Sequence, residues 1–458
     1  MLKQIITYLL ILLNVNFFAQ NVLSCGKGLN GQVYGLYNDT VIKKLIVSGW
    51  FTMADGKPYN GLATWDGVKF DSLGKNNPYP NGFRKEPFIQ YKNKLYVFGI
   101  DKYLYSFNYQ TKIWTQIPGK YDNLIRDFTI YNNDLIIVGD FKKVGNTVVK
   151  NIIKFNGTNY DTLPKPIFSG FIFTAEVYKN ELYIGGNFDQ FSPYTGIAKF
   201  NGTSWVKVSN NTALTGASQE VWDLVIYNNK LFITGNWAFT NGIFQPSLAT
   251  WDGQNWGNIG TMIFNGGIPA ANSTFKIYNN KLYVIGGFDS INNIKTANIA
   301  VWNDTIWCGV KMINNTGLQI APIENYNNQW YIAGNQTMIA DTVEITASMI
   351  PDTINGLGRY IGNNGKLERN CFDKPIIKPD FSIYPNPFSD KITINTSTTD
   401  PTTLKKITLI NMLGQKVFYL EFYQNNISID LPQLLDGTYI AELYLNNQLS
   451  FRTKLLKL

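Results

Sequence analysis

This 458-residue chain contains no histidine, and carboxylate chemistry is the acid-base chemistry its residues leave open for a reading. Imidazole bases, Ser-His-Asp triads and histidine-containing zinc or copper sites are therefore excluded. Two acids flanking a glycosidic bond would still support hydrolysis, which makes Glu86, Glu176, Glu181, Glu220, Glu324, Glu344 and Glu368 the candidates ahead of the C-terminal tail. Of these, Glu86, Glu220, Glu324 and Glu344 fall near the longer connections described below, where ordinary solvated loop acids are also expected. The sequence has no GxxxxGK[ST] phosphate loop, no metal cluster of cysteines and no DxDxDG-like calcium run. No cofactor or metal is expected. Noncatalytic binding is the favoured reading, and a carboxylate-dependent glycan-degrading enzyme is the alternative.

The elements that must position these groups are repeats. A phrase best seen as YNNKLYVIGG from Tyr278 to Gly287 returns seven times, led by Tyr37, Tyr91, Tyr131, Tyr178, Tyr227, Tyr278 and Tyr326, at intervals of 54, 40, 47, 49, 51 and 48 residues. That period suits four-stranded propeller blades. Alternating apolar positions such as Leu282 and Val284 predict a half-buried strand, and the preceding Asn279 and Asn280 suit the positive φ of a two-residue hairpin turn. In six repeats a glycine follows eight residues after the tyrosine: Gly99, Gly139, Gly186, Gly235, Gly286 and Gly334. It predicts close backbone approach at the end of the second strand. Paired aromatics mark a second hairpin, among them Trp65 with Phe70, Phe200 with Trp205, Trp251 with Trp256 and Trp302 with Trp307, and Asp-Gly or Asn-Gly turns sit within several pairs. All eleven tryptophans lie in the repeats, and most are expected to pack between blades.

In an up-and-down blade the first-second and third-fourth turns emerge on one face and the other connections on the opposite face. The tight turns all belong to the first face. The longer connections belong to the second, where binding is expected, and residues 335–356 form the longest of them, readable either as a contact loop or as an insertion packed on its own blade.

Residues 1–20, with Lys3, an apolar run from Ile5 to Leu13 and then Phe17, Phe18, Ala19 and Gln20, read as a signal peptide, and no stretch is long enough for a transmembrane helix. The formal charge of +8 is spread without a dense basic tract, and Lys outnumbers Arg 35 to 5, so nucleic acid is not an expected partner. Three cysteines leave at least one unpaired. Cys25 and Cys371 bracket the repeats, which makes a ring-closing disulfide between them the candidate pairing, with a lipid-bearing Cys25 as a second reading.

With the glycine closing the second strand, the aromatic on the third and the tryptophan near the fourth, residues 21–372 resemble the kelch and galactose-oxidase class of seven-bladed β-propellers. Double glycines remain only at Gly185-Gly186 and Gly286-Gly287. The copper chemistry of that class needs histidine and is excluded. A sialidase-like site would need clustered arginines, and only Arg84, Arg126, Arg359 and Arg369 precede the tail.

Residues 373–379 read as a proline-stiffened linker. Residues 380–458 hold short alternating strands that predict a small Ig-like β-sandwich, giving an all-β chain throughout. This tail resembles the type A C-terminal sorting domain of the type IX secretion system. The resemblance rests on Tyr384-Pro385-Asn386-Pro387, the phrase from Ile407 through Gly414 to Val417, the phrase from Leu431 through Gly437 to Tyr439, and Lys454 and Lys457 in the last strand. It implies Sec export, passage through the type IX machinery as a partner, and release or attachment at the outer-membrane surface, where an extracellular glycan or protein would be the ligand. Proteins of the phylum that uses this route can be O-glycosylated at Asp-Ser/Thr-aliphatic triplets. Thr40, Ser72, Thr162, Ser290, Thr305, Thr342 and Thr353 are the corresponding candidates, although turn chemistry favours the same strings.

Overall fold

A computed structural model describes residues 22–75, 87–164, 170–188, 196–208, 214–215, 219–240, 243–264, 268–269, 271–296, 298–314, 322–333, 337–340, 352–353, 356–360, 381–396, 404–445 and 448–458. Among them every regular element is a β-strand, all named pairings are antiparallel, and no helix is long and apolar enough to cross a membrane. The chain divides into two compact units, Met1–Cys371 and Phe372–Leu458.

The first unit repeats one sheet. Leading strands Gln32–Asp39, Phe88–Tyr91, Ile125–Tyr131, Gly170–Tyr178, Glu220–Tyr227, Ala271–Tyr278 and Ile323–Tyr326 each pair with the strand that follows them. Two further strands follow in each sheet in meander order, with two departures: the sixth gains two more strands beyond these, and the seventh takes its last strand from the other end of the unit, where Val22–Ser24 pairs with Leu357–Tyr360. The hairpin turns behave as their residues predict, with Asn132 and Asn133 at φ 50° and 63° and Asn279 and Asn280 at 48° and 52°.

Successive sheets are tied in the same way. The tyrosine ending a leading strand donates its hydroxyl to the next sheet's hairpin turn: Tyr91 to the Asn133 carbonyl at 2.8 Å, Tyr178 to Asn229 at 2.8 Å, Tyr227 to Asn280 at 2.7 Å. Tyr326 of the seventh sheet reaches the Lys43 carbonyl of the first at 2.9 Å. Apolar clusters fill the junctions, one of them joining Leu36, Leu45 and Val47 of the first sheet to Tyr326, Tyr331 and Leu357 of the seventh. The first sheet departs from the sequence reading in phase. Its leading strand ends on Asp39, paired with Lys44, so Asp39 rather than Tyr37 holds the tyrosine position. Tyr37 instead stacks on Phe88 with centroids 5.5 Å apart, and the buried Asp39 carboxylate accepts from Gln90 Nε2 and the Tyr109 hydroxyl of the second sheet.

Seven of the eleven tryptophans are buried: Trp65, Trp114, Trp205, Trp237, Trp251, Trp307 and Trp330. Three of these reach back to the preceding repeat, where Trp114, Trp205 and Trp307 donate their indole N–H to the carbonyls of Leu73, Pro164 and Ile259 at 2.6–2.7 Å. Trp205→Phe keeps most of the packing and deletes one such bond, so a loss of about 1 kcal/mol is expected in denaturant unfolding. A wild-type midpoint would show that the bond contributes nothing net.

Two expectations are corrected. Cys25 is a buried free thiol while Cys308 is disulfide-bonded, so Cys25 is not the partner of Cys371, which lies outside the described residues. Cys25 instead packs into the first-seventh junction, donates its backbone N–H to the Leu357 carbonyl, and has its thiol pushed up to about 12 by burial. Lipid attachment there would require this buried residue to leave the junction. In the 335–356 connection the described strands likewise do not pair with their own sheet. Thr337–Ala340 and Asp352–Thr353 extend the sixth sheet through Trp307–Asn314, and residues 341–351 lie outside the described set. The second-to-third connections are also more regular than expected, since four sheets carry a small hairpin there, as in Lys143–Val144 with Thr147–Val148.

The second unit packs a three-stranded sheet, Phe381–Tyr384, Lys391–Thr396 and Asn426–Asp430, against a four-stranded one, Lys405–Asn411, Lys416–Phe422, Gly437–Leu445 and Gln448–Lys457. Alternation buries Ile392 and Ile394 of one sheet with Ile407, Leu409, Ala441 and Leu443 of the other in a single core.

Candidate functional site

Five of the seven leading strands carry a register shift near their starts, at Val33/Gly35, Ile125/Asp127, Ile172/Thr174, Val221/Asp223 and Ala271/Thr274. A bulge adds a residue and re-aims its side chain. The recurrent glycine sits opposite it. A Cβ on Gly49, Gly139, Gly186 or Gly235 would lie 2.0–2.1 Å from a carbonyl oxygen of the bulged strand, respectively that of Gln32, Leu124, Phe171 or Glu220. Glycine is what lets the bulge press so close.

The residues set apart by these shifts include Tyr34, Arg126, Phe173 and Trp222, all at least partly exposed. Three of them, from the third, fourth and fifth sheets, form one tier. The Arg126 guanidinium lies 5.7 Å from the Phe173 ring centroid, and Phe173 stacks on Trp222 at 4.8 Å with planes 8° apart. Asp140 is buried and grips Arg126 through Nε at 3.0 Å and Nη2 at 2.6 Å, which cancels its charge and fixes its plane. Glu220 accepts from Asn187 Nδ2 at 2.5 Å. The Trp222 indole N–H is enclosed and has no acceptor among the described residues. Trp50, 54% exposed, meets Tyr34 edge-on at 6.2 Å in the first sheet.

Beneath this tier the same strands alternate acid and hydroxyl. Asp127 accepts from the Thr174 hydroxyl at 3.1 Å and the Ala175 N–H at 3.0 Å, and Asp223 accepts from the Thr274 hydroxyl at 2.6 Å and the Phe275 N–H at 2.7 Å. Thr174 also approaches Asp223, at 3.4 Å. Burial pushes the Asp127 carboxyl up to about 7 against the pull of the Ala175 N–H, and the Asp223 charge adds to the rise. Burial also raises Glu176.

Among the described residues the glutamates singled out from sequence do not converge. Glu220 belongs to the tier, Glu324 pairs with Lys276 at 2.6 Å, Glu181 pairs with Lys199 at 2.8 Å, and Glu86, Glu344 and Glu368 lie outside the described residues. Among the modification candidates, Thr40, Ser72, Thr162 and Thr305 are exposed and Ser290 is half-buried, while Thr342 lies outside the described residues and the Thr353 side chain is not described. Several of their aspartates make local turn bonds, as when Asp161 accepts from the Thr162 N–H at 2.8 Å.

In the tail the sorting residues gather at one end of the sandwich. Asn386 accepts from the Leu456 N–H and donates to the Lys454 carbonyl, both at 2.9 Å, which ties Pro385-Asn386-Pro387 to the last strand. Gly437 and Tyr439 pair there with Lys457 and Leu455, and Tyr439 also faces Asn411, at the root of the Gly414 turn. The exposed Lys454 lies opposite Ile440.

Residues 382–457 match the family described as the secretion system C-terminal sorting domain. No curated protein matches the chain. Among solved structures, PorZ, a bacterial surface component of the type-IX secretion system of Porphyromonas gingivalis, is 11% identical with a TM-score of 0.41 over 93% of this chain. This chain spans 59% of that one. The computationally designed Ika8 protein is 9% identical with a TM-score of 0.41, over 95% of this chain and 100% of its own. The C-terminal segment is thus a type IX sorting domain, and its bearer is a protein destined for the outer-membrane surface or the medium beyond.

Proposed function

We propose that residues 21–372 form a seven-bladed, kelch-like β-propeller that binds an extracellular glycan without turning it over, and that the sorting tail delivers it to the cell surface or medium. The observation that carries the reading is the return of the seventh sheet to the first, through the strand Val22–Ser24, the Tyr326 to Lys43 bond and their shared apolar cluster. Closure of this kind covers the apolar faces that the first and seventh sheets would otherwise leave open. The bulged tier then faces the axis on the side of the longer connections. It offers flat apolar rings beside an arginine whose charge Asp140 already matches, which suits a neutral, hydroxyl-rich ligand better than an ionic one.

A glycan array and a hydrolase substrate panel, both run on the full chain, test the proposal. Binding without turnover is expected, with Trp222→Ala weakening it about tenfold or more while leaving the unfolding midpoint near wild type. Turnover lost on Glu220→Gln would instead favour the glycan-degrading enzyme. Glycan affinity unchanged by Trp222→Ala would remove the tier from the site.

A further inference from the structure

Met412 at 71%, Leu413 at 83% and Leu435 at 81% are the most exposed large apolar side chains among the tail's described residues, and its core does not use them. They occupy neighbouring segments at one end of the four-stranded sheet, since Asn411, just before Met412, pairs with Tyr439, which follows Leu435 by four residues. Both segments are held in place. The Asn411 carboxamide accepts from the Leu413 N–H at 3.0 Å and the Gln415 N–H at 2.9 Å, and Gly414 completes the turn at φ +79°. The Tyr439 hydroxyl donates to the Leu435 carbonyl at 2.6 Å.

A flexible loop could hide such side chains by collapsing onto the domain, whereas a pinned turn keeps them in water. Contiguous exposed apolar side chains on a small domain mark an interaction site. The fragments through which the tail is recognisable, spread from Pro385 to Lys457, also converge on this end. Asn386 is bonded to the strand that pairs with Gly437 and Tyr439, so the motif residues act as scaffold beneath the apolar tip.

We infer that Met412, Leu413 and Leu435 form the surface by which the type IX export machinery captures this protein, seated in an apolar pocket of that machinery. Position identifies the occupant: the tip lies within residues 382–457, the secretion-system sorting domain, and these side chains take no part in the tail's core among the described residues. The inference rests on the sorting-domain assignment and is independent of what the propeller binds.

The test is export of the full chain from its native host, measured as the surface-plus-medium fraction against the periplasmic fraction. The double variant Leu413→Ser with Leu435→Ser should lower the exported fraction about tenfold, while Leu413→Met with Leu435→Met should restore it. Tyr423→Ser is the control, because Tyr423 is 55% exposed at the opposite end of the same sheet, next to the Lys405 pairing. It should export within about twofold of wild type. Protease resistance of the tail in each variant shows that the fold persists, as expected for side chains this exposed. Wild-type export of the serine pair, equal loss in the Tyr423 control, or loss of self-association in the serine pair with export intact would overturn the inference. A chain ending at residue 379 that is still exported would overturn the sorting assignment beneath it, a separate failure.

Discussion

Gly186→Ala is expected to destabilise the first unit by about 3 kcal/mol, a large effect for one methyl group, and to lower its unfolding midpoint accordingly. The added carbon would stand 2.0 Å from the Phe171 carbonyl oxygen and 2.9 Å from the Ile172 Cα, both of them main-chain atoms that no rotamer change can move. Relief requires the fourth sheet to straighten its bulge, which would also shift Phe173 and break its stack on Trp222. Gly257→Ala is the matched control. Its near neighbour is the Thr250 hydroxyl at 2.4 Å with the next atom at 3.8 Å, so a side-chain rotation makes room, and the cost should stay below about 1 kcal/mol. Equal midpoints for the two variants would mean that the carbonyl approach is not a steric constraint.

That glycine also shows how far the letters could be read. Its recurrence eight residues after a tyrosine signalled close approach, and the approach is real, but the partner is a bulge, which adds one residue and leaves no trace in a period-two pattern. The tier of Arg126, Phe173 and Trp222 was therefore invisible as a set. Another signal was legible and missed. Two residues past the glycine stands a buried aromatic, Phe51, Phe141, Phe188, Trp237 or Phe288, which anchors the start of a connection read as merely variable. In the first repeat, Tyr37 mimicked the leading tyrosine from two residues too early, and only pairing with the second strand exposes Asp39 as its equivalent. The 335–356 insertion pairs with the neighbouring sheet, a non-local choice that no local pattern encodes. In the tail, alternation and motif order sufficed, because a small sandwich of short strands writes its inward face directly into the sequence.

The first unit should lose stability as pH rises through about 7, and Asp127 is the group responsible. Its carboxyl is raised from 3.8 to about 7 in the folded chain, so the folded state holds the proton more tightly than the unfolded one. The resulting stabilisation is complete below the unfolded value and disappears as pH climbs through the folded one. With each tenfold change in proton affinity worth about 1.4 kcal/mol, the full contribution is on the order of 4 kcal/mol. The chemistry is local to three strands. Thr174 sits between Asp127 and Asp223, so with both carboxylates ionised its single hydroxyl proton cannot serve both, and protonating Asp127 removes a desolvated charge and its repulsion with Asp223. Glu176, also raised by burial, lies on the same strand as Thr174 and titrates in the same sense. Asp127→Asn keeps an acceptor for the Ala175 N–H and abolishes the titration. Its unfolding midpoint should therefore fall less between about pH 5 and pH 8 than the wild-type midpoint does, keeping only the part that Glu176 contributes. Parallel profiles for the two proteins would show that Asp127 is ionised throughout, and that its hydrogen bonds outweigh its burial.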